Sequence, residues 1–118
     1  MTYVDGFVLA VPKQNLERYK AMARVASEAW LEHGALSYVE SVADDVPYGE
    51  VTSFPRAVQA KDDELVIFSW ATYKDRASRD EVMKKVMADP RMKEQEDMKD
   101  VFDGKRMFWG GFEAFIER

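Results

Sequence analysis

Tyr3-Val4-Asp5-Gly6-Phe7-Val8-Leu9-Ala10-Val11 and Leu65-Val66-Ile67-Phe68-Ser69-Trp70-Ala71-Thr72-Tyr73 decide the fold. Both stretches are rich in the β-branched and aromatic residues that suit strands. Successive strand side chains point to opposite faces, so a sheet with one wet face alternates apolar and polar residues. These two stretches do not alternate. Both faces of their sheet need cover, and the chain offers too few helices to cover both. A second copy of the same sheet is the expected cover.

Working outward, Asn15 is placed to N-cap a helix whose apolar positions Leu16, Tyr19, Ala23, Ala26 and Trp30 recur at helical spacing up to His33. Gly34 ends it in the C′ role. Leu36 to Val42 reads as the second strand. Asp44 to Glu64 carries turn signals, and Thr52 to Val58 is expected as an extended edge segment, where Pro55 is tolerated. A connection this long serves as a lid, a binding loop or an exchanged arm. Asp75 starts the second helix, with Ser78 and Glu81 as a capping box and Val82, Met83, Val86 and Met87 as its apolar stripe. Asp89-Pro90 stops it and opens a short polar helical piece to about Met98. After Asp103-Gly104 the last strand runs from Arg106 to Ile116. The order βαββαβ packs as a four-stranded antiparallel sheet with both helices on one face. Val4, Gly6, Val8 and Ala10 are small enough to be expected under the helices. Tyr3, Asp5, Phe7, Leu9 and Val11 are then expected on the outer face, with Val66, Phe68 and Trp70. Pairing two such outer faces in a homodimer is favoured by about 25 cal/mol per Å2 of apolar area buried.

At 118 residues with 47% apolar content, residues 1–118 are read as one domain with a packed core. The net charge is −5, and Lys84, Lys85, Lys93 and Lys99 are interspersed with Glu94, Glu96, Asp97 and Asp100. Nucleic-acid binding rests on clustered cations, so no nucleic-acid partner is expected. The absence of cysteine excludes disulfides, a thiol nucleophile and thiolate metal ligation. No apolar run approaches the ~20 residues of a membrane-spanning helix. The first residues enter a strand pattern without the basic and apolar regions of a signal peptide. A soluble cytoplasmic protein with no membrane partner is expected.

Tyr3-Val4-Asp5-Gly6-Phe7-Val8-Leu9, Glu32-His33-Gly34-Ala35, Thr52-Ser53-Phe54-Pro55-Arg56-Ala57, Met87-Ala88-Asp89-Pro90-Arg91-Met92 and Phe102-Asp103-Gly104-Lys105-Arg106-Met107 together resemble the YbaA-like family of uncharacterised small bacterial proteins. The five blocks stand in order along essentially the whole chain. The resemblance implies an α+β, ferredoxin-like protomer that forms a dimeric α/β barrel with a second copy. Related barrels include cofactor-independent monooxygenases, isomerase-like enzymes, haem-binding proteins and proteins without known activity. The resemblance carries no catalytic residue with it.

Three residues are candidate catalytic groups, Asp5 and His33 for proton transfer and Glu40 for polar orientation. Asp5 is a lone carboxylate in an apolar strand, where burial demands a partner or a raised pKa; Arg106 is one candidate partner. His33 is the sole histidine, in the last turn of the first helix. Glu40 stands between Tyr38 and Val42. Arg56 is a candidate clamp for an anion, with Ser53 and Phe54 beside it in the irregular connection. Trp70 and Trp109 are candidate walls of an apolar pocket. One histidine and no cysteine make a metal site a poor fit, and no cofactor is expected. The reading these residues support is binding of a small apolar or aromatic molecule, with cofactor-free oxygenation or isomerisation as the chemistry that suits them. The alternative is a non-catalytic homodimeric accessory or stress-related interaction protein. A cavity of roughly 300 Å3 or more beside Asp5 and His33 separates the two.

Overall fold

The computed structural model describes residues 2–95 and 99–118. Its centre is the pair the sequence singles out. β1 (Tyr3–Pro12) and β3 (Glu64–Tyr73) run antiparallel over their whole length, with Tyr3 opposite Tyr73 and Pro12 opposite Glu64. β2 (Ser37–Val42) joins the outer side of β3, and β4 (Phe108–Glu113) joins β1. The resulting order is β2-β3-β1-β4, all antiparallel. α1 (Leu16–Glu32) follows β1, and α3 (Arg76–Ala88) follows β3. A one-turn helix α2 (Phe54–Ala57) lies in the long connection, and a short α4 (Pro90–Glu94) follows α3. This is the expected α+β, ferredoxin-like arrangement.

Register decides which face the helices cover, and it inverts the expected split of β1. Leu9 and Val11 pack with Ile67, Tyr19 and Val101. Ala71 and Tyr73 pack with Ala26, Trp30, Val82 and Val86. Tyr3, Asp5, Phe7, Leu9 and Val11 therefore lie under α1 and α3, and Val4, Gly6, Val8 and Ala10 face away. Val66, Phe68 and Trp70 do face away, as expected. The two expectations conflict once the strands are paired, because Val8 sits directly opposite Phe68 and Gly6 opposite Trp70. Directly opposed residues share a face.

Thr52 to Val58 is helical at its centre instead of extended. Ser53 Oγ accepts the Arg56 N–H at 3.2 Å, and Pro55 occupies the first turn, where its missing N–H is harmless. The turn delivers Val58, 1% exposed, onto Val8, Ala10 and Val66. One end of the outer face is thus covered by the chain's own connection. The rest is bare: Phe68, Phe108 and Phe112 are 42%, 46% and 66% exposed.

Other departures are local. Asn15 occupies the N-cap position, but its side chain donates to the Val101 carbonyl at 3.0 Å and caps nothing. Asp75 Oδ1 accepts the Ser78 N–H at 2.7 Å, so Ser78 is the capped residue and starts no capping box of its own. α4 ends at Glu94; the expected continuation to Met98 reaches beyond the described residues. Asp103 caps a short turn over Gly104–Arg106, which delays β4 to Phe108. Gly34 has φ +119°, as its role past the end of α1 requires. Among the described residues no helix is long and apolar enough to cross a membrane.

Candidate functional site

α1, α3 and α4 do not close completely on the sheet. Between them lies a cavity of about 420 Å3. Its wall includes Phe7, Trp30, Phe102 and Trp109, with five methionines, Met22, Met83, Met87, Met92 and Met107. Unbranched thioethers adapt their shape to a guest and make favourable contacts with aromatic rings. Among the described lining residues only one side chain is a carboxylate, that of Glu40.

Glu40 reaches this wall because β2 alternates. Tyr38 lies opposite Ala71 and Glu40 opposite Ser69, both on the helix side of the sheet. The Tyr19 hydroxyl, carried by the apolar stripe of α1, donates to Glu40 Oε1 at 2.7 Å. The Tyr38 hydroxyl donates to Oε2 at 2.6 Å. Burial raises the Glu40 pKa, and the two phenol hydrogen bonds pull against that without reversing it. Both phenols are pushed well above the ordinary tyrosine range, first by burial and then by the neighbouring carboxylate. They remain donors at every ordinary pH. The arrangement is a carboxylate of enhanced proton affinity at the edge of an apolar chamber, suited to accept a proton from an acidic O–H or C–H.

Asp5 is also on the helix side, and it is fully buried. The Trp30 Nε1–H donates to the Tyr73 hydroxyl at 3.0 Å, and that hydroxyl donates to Asp5 Oδ2 at 2.9 Å. Arg79 Nη1 stands 3.5 Å from Oδ1, which has no hydrogen-bond donor. Burial raises the Asp5 pKa; Tyr73 and Arg79 oppose it. The Arg79 guanidinium also lies 5.0 Å from the centre of the Tyr3 ring and donates to its hydroxyl at 3.1 Å. Gly111, opposite Asp5 across the ladder, leaves room for both: a Cβ there would stand 2.5 Å from Tyr3 Oη. Arg106 is not the partner of Asp5, since it is occupied by Glu64 at 2.7 Å and Asp103 at 3.0 Å. Asp5 therefore touches the cavity only through Tyr73 and the Trp30 ring.

His33 lies elsewhere. Its Nε2 is 2.8 Å from Asp89 Oδ2, and Asp89 also holds the Arg91 guanidinium at 2.8 Å. Arg91 reaches back to Glu32 at 2.6 Å. The Arg91 and His33 contacts hold the Asp89 carboxyl well below the usual carboxylate range. This network ties the end of α1 to the start of α4. Arg56 is likewise engaged: it donates to the Tyr48 and Gly49 carbonyls, each at 3.0 Å, and stacks on the Tyr48 ring. Phe54 and Trp70 both contact Phe68 on the outer face, with ring centres 5.6 and 5.3 Å away. Of the residues proposed from sequence, Glu40 and Trp109 meet at the cavity. Ser53, Phe54, Arg56 and Trp70 gather on the opposite side of the sheet. Tyr19, Met83 and Met87 stand in helical stripes and Tyr38 in a strand pattern, and nothing local separates those roles from a cavity wall. Among the described residues no three His, Asp or Glu side chains are grouped to hold a metal ion.

The family described as "Protein of unknown function (DUF1428)" matches residues 2–104. The chain belongs to this family. The DUF1428 relatives include the uncharacterized protein YbaA of Escherichia coli K12, 51% identical over 118 residues and aligned across 99% of each chain. YbaA of Shigella flexneri shows the same figures. The family read from the five sequence blocks is therefore the right one. Two solved structures share the fold of this DUF1428 protein at much lower identity. A dimeric ferredoxin-like protein from an uncultured marine organism matches with TM-score 0.62 at 12% identity, covering 100% of both chains. SnoaB, a cofactor-independent oxygenase from Streptomyces nogalater, matches with TM-score 0.60 at 14% identity, covering 98% of this chain and 95% of its own. At such identities the likeness is one of fold.

Proposed function

We propose that this protein is a homodimer that binds a small, largely apolar or aromatic molecule in the cavity between helices and sheet. Glu40 acts there as proton acceptor in a cofactor-free oxygenation or isomerisation. The observation that carries the reading is the cavity itself. At about 420 Å3 it exceeds the roughly 300 Å3 at which ligand sites begin, it lies beside Glu40 rather than beside Asp5 and His33, and among the described residues its apolar wall holds one hydrogen-bonded carboxylate. The description of SnoaB as a cofactor-independent oxygenase supports the choice of chemistry, and the dimeric ferredoxin-like neighbour supports the assembly. Of the three catalytic candidates Glu40 is the one at the wall, so the proton-accepting role expected of Asp5 or His33 passes to it. Asp5 acts through Tyr73 and Trp30 as a positioning group, and His33 fastens α1 to α4. Ser53, Phe54, Arg56 and Trp70 lie on the outer side of the sheet, away from the cavity.

Native mass spectrometry of protein purified gently from cells tests this. The expected result is a dimer carrying a reproducible extra mass, which is lost when Ala26→Phe fills the cavity and kept in Glu40→Gln. A dimer without extra mass, whose tryptophan fluorescence also fails to respond to a panel of aromatic ligands, would instead favour the accessory-protein reading.

A further inference from the structure

A second cleft, of about 430 Å3, opens on the solvent side of the junction between α1 and β2. It shares Tyr19, Ala23, Tyr38 and Glu40 with the inner cavity. The phenol–carboxylate–phenol group is thus a partition between a wet cleft and an apolar chamber. Ala23, with only a methyl group, is its thinnest part. The wet side is lined by Lys20, Arg24 and Ser27. Spaced four and three residues apart, these share one face of α1. Lys20 has Glu17 at 3.7 Å, an exposed pair of the kind that contributes little. Arg24 has no ion-pair partner among the described residues.

We propose that the ligand enters between α1 and β2 and is an amphipathic organic anion, with its apolar body in the methionine-lined cavity and its carboxylate, sulfonate or phosphate head between Lys20 and Arg24. This rests on the cavity being the ligand site. Apart from Glu40 with its two phenols, Ser69 and Gln95, the inner wall offers methyl, thioether and ring surface, which fixes orientation little. Two cations one helical turn apart supply that orientation, and their aliphatic stems extend the apolar wall to the cleft. A ligand lying across the partition brings its middle to Glu40, where a hydroxyl or acidic C–H can replace one phenol at the carboxylate.

Two fluorescent probes with the same ring system test this: anilinonaphthalene sulfonate, which carries an anionic head, and phenylnaphthylamine, which carries none. Both are expected to bind the full-length protein. The exposed double variant Lys20→Gln/Arg24→Gln should weaken the sulfonate about tenfold and leave the uncharged probe unchanged. Added salt should weaken the sulfonate alone. Ala23→Trp, which blocks the partition, should abolish both, with circular dichroism confirming the fold. Unchanged sulfonate affinity in the charge variant, with Ala23→Trp still blocking the neutral probe, overturns this inference and leaves the cavity reading standing. Binding of both probes unaffected by Ala23→Trp overturns the proposed entrance. Failure of both probes to bind the native protein overturns the inference and the cavity reading together.

Discussion

Glu40 and Asp5 are carboxyl groups that the fold makes harder to ionise, and Asp89 is one that it makes easier. The signs of their contributions to stability therefore differ. For Glu40 and Asp5 the folded protein holds protons that the unfolded chain has released. Their contribution is fully present below the ordinary values of 4.5 and 3.8 and is lost as pH rises through the raised folded values. For Asp89 the contribution is present above 3.8 and is lost as pH falls toward the depressed folded value. Urea midpoints should accordingly decline from mildly acidic toward neutral pH, and Glu40→Gln should flatten that decline. A Glu40→Gln profile parallel to the native one would rule out the desolvated carboxylate. At Asp5 the test is pairing. Arg79→Met should cost about 3–5 kcal/mol at neutral pH, because it strands a buried charge, and less in acid, where Asp5 takes a proton. Adding Asp5→Asn to Arg79→Met should recover most of the loss; a double variant as unstable as the single one would show that Arg79 acts by packing alone.

Among the elements, β4 and the connection carrying α2 depend most on distant partners. Gly111 lies under Tyr3 and Arg79, and a Cβ would stand 2.7 Å from the Tyr3 ring and 2.9 Å from Arg79 Nη2. Gly111→Ala should therefore cost about 1–3 kcal/mol through displaced side chains, read from denaturation midpoints; a neutral effect would mean that Tyr3 swings away freely. Val58→Ala should cost about 2 kcal/mol by opening the contact with Val8, Ala10 and Val66. The two segments also differ in how legible they are. α1 and α3 are readable from Tyr19, Ala26, Trp30, Val82 and Val86, because helical spacing and caps are local properties. Thr52 to Val58 is ambiguous, since Pro55 suits both a sheet edge and the first turn of a helix. The choice is made by Val58, whose burial on β1 and β3 is a contact no local pattern encodes.

Viewed whole, the chain has an outer sheet face covered at one end by its own connection and bare at the other, where Phe68, Phe108 and Phe112 are exposed. A second copy of that face would remove these rings from water. Sedimentation at micromolar concentration should show a dimer, and Phe68→Lys/Phe108→Glu should yield a folded monomer; a native monomer would refute the two-sheet assembly. The sequence by itself determined the order of the four strands and the two long helices, because periodicity acts over a few residues, and five motif blocks along the chain identified the family. Only the tertiary structure decided that Leu9 and Val11 lie under the helices, that Arg79 pairs with Asp5, and that Glu40 meets the cavity while His33 meets Asp89. A strand apolar on both sides fits its sheet equally well either way up. The tie is broken by register and by helix packing between residues far apart in the chain.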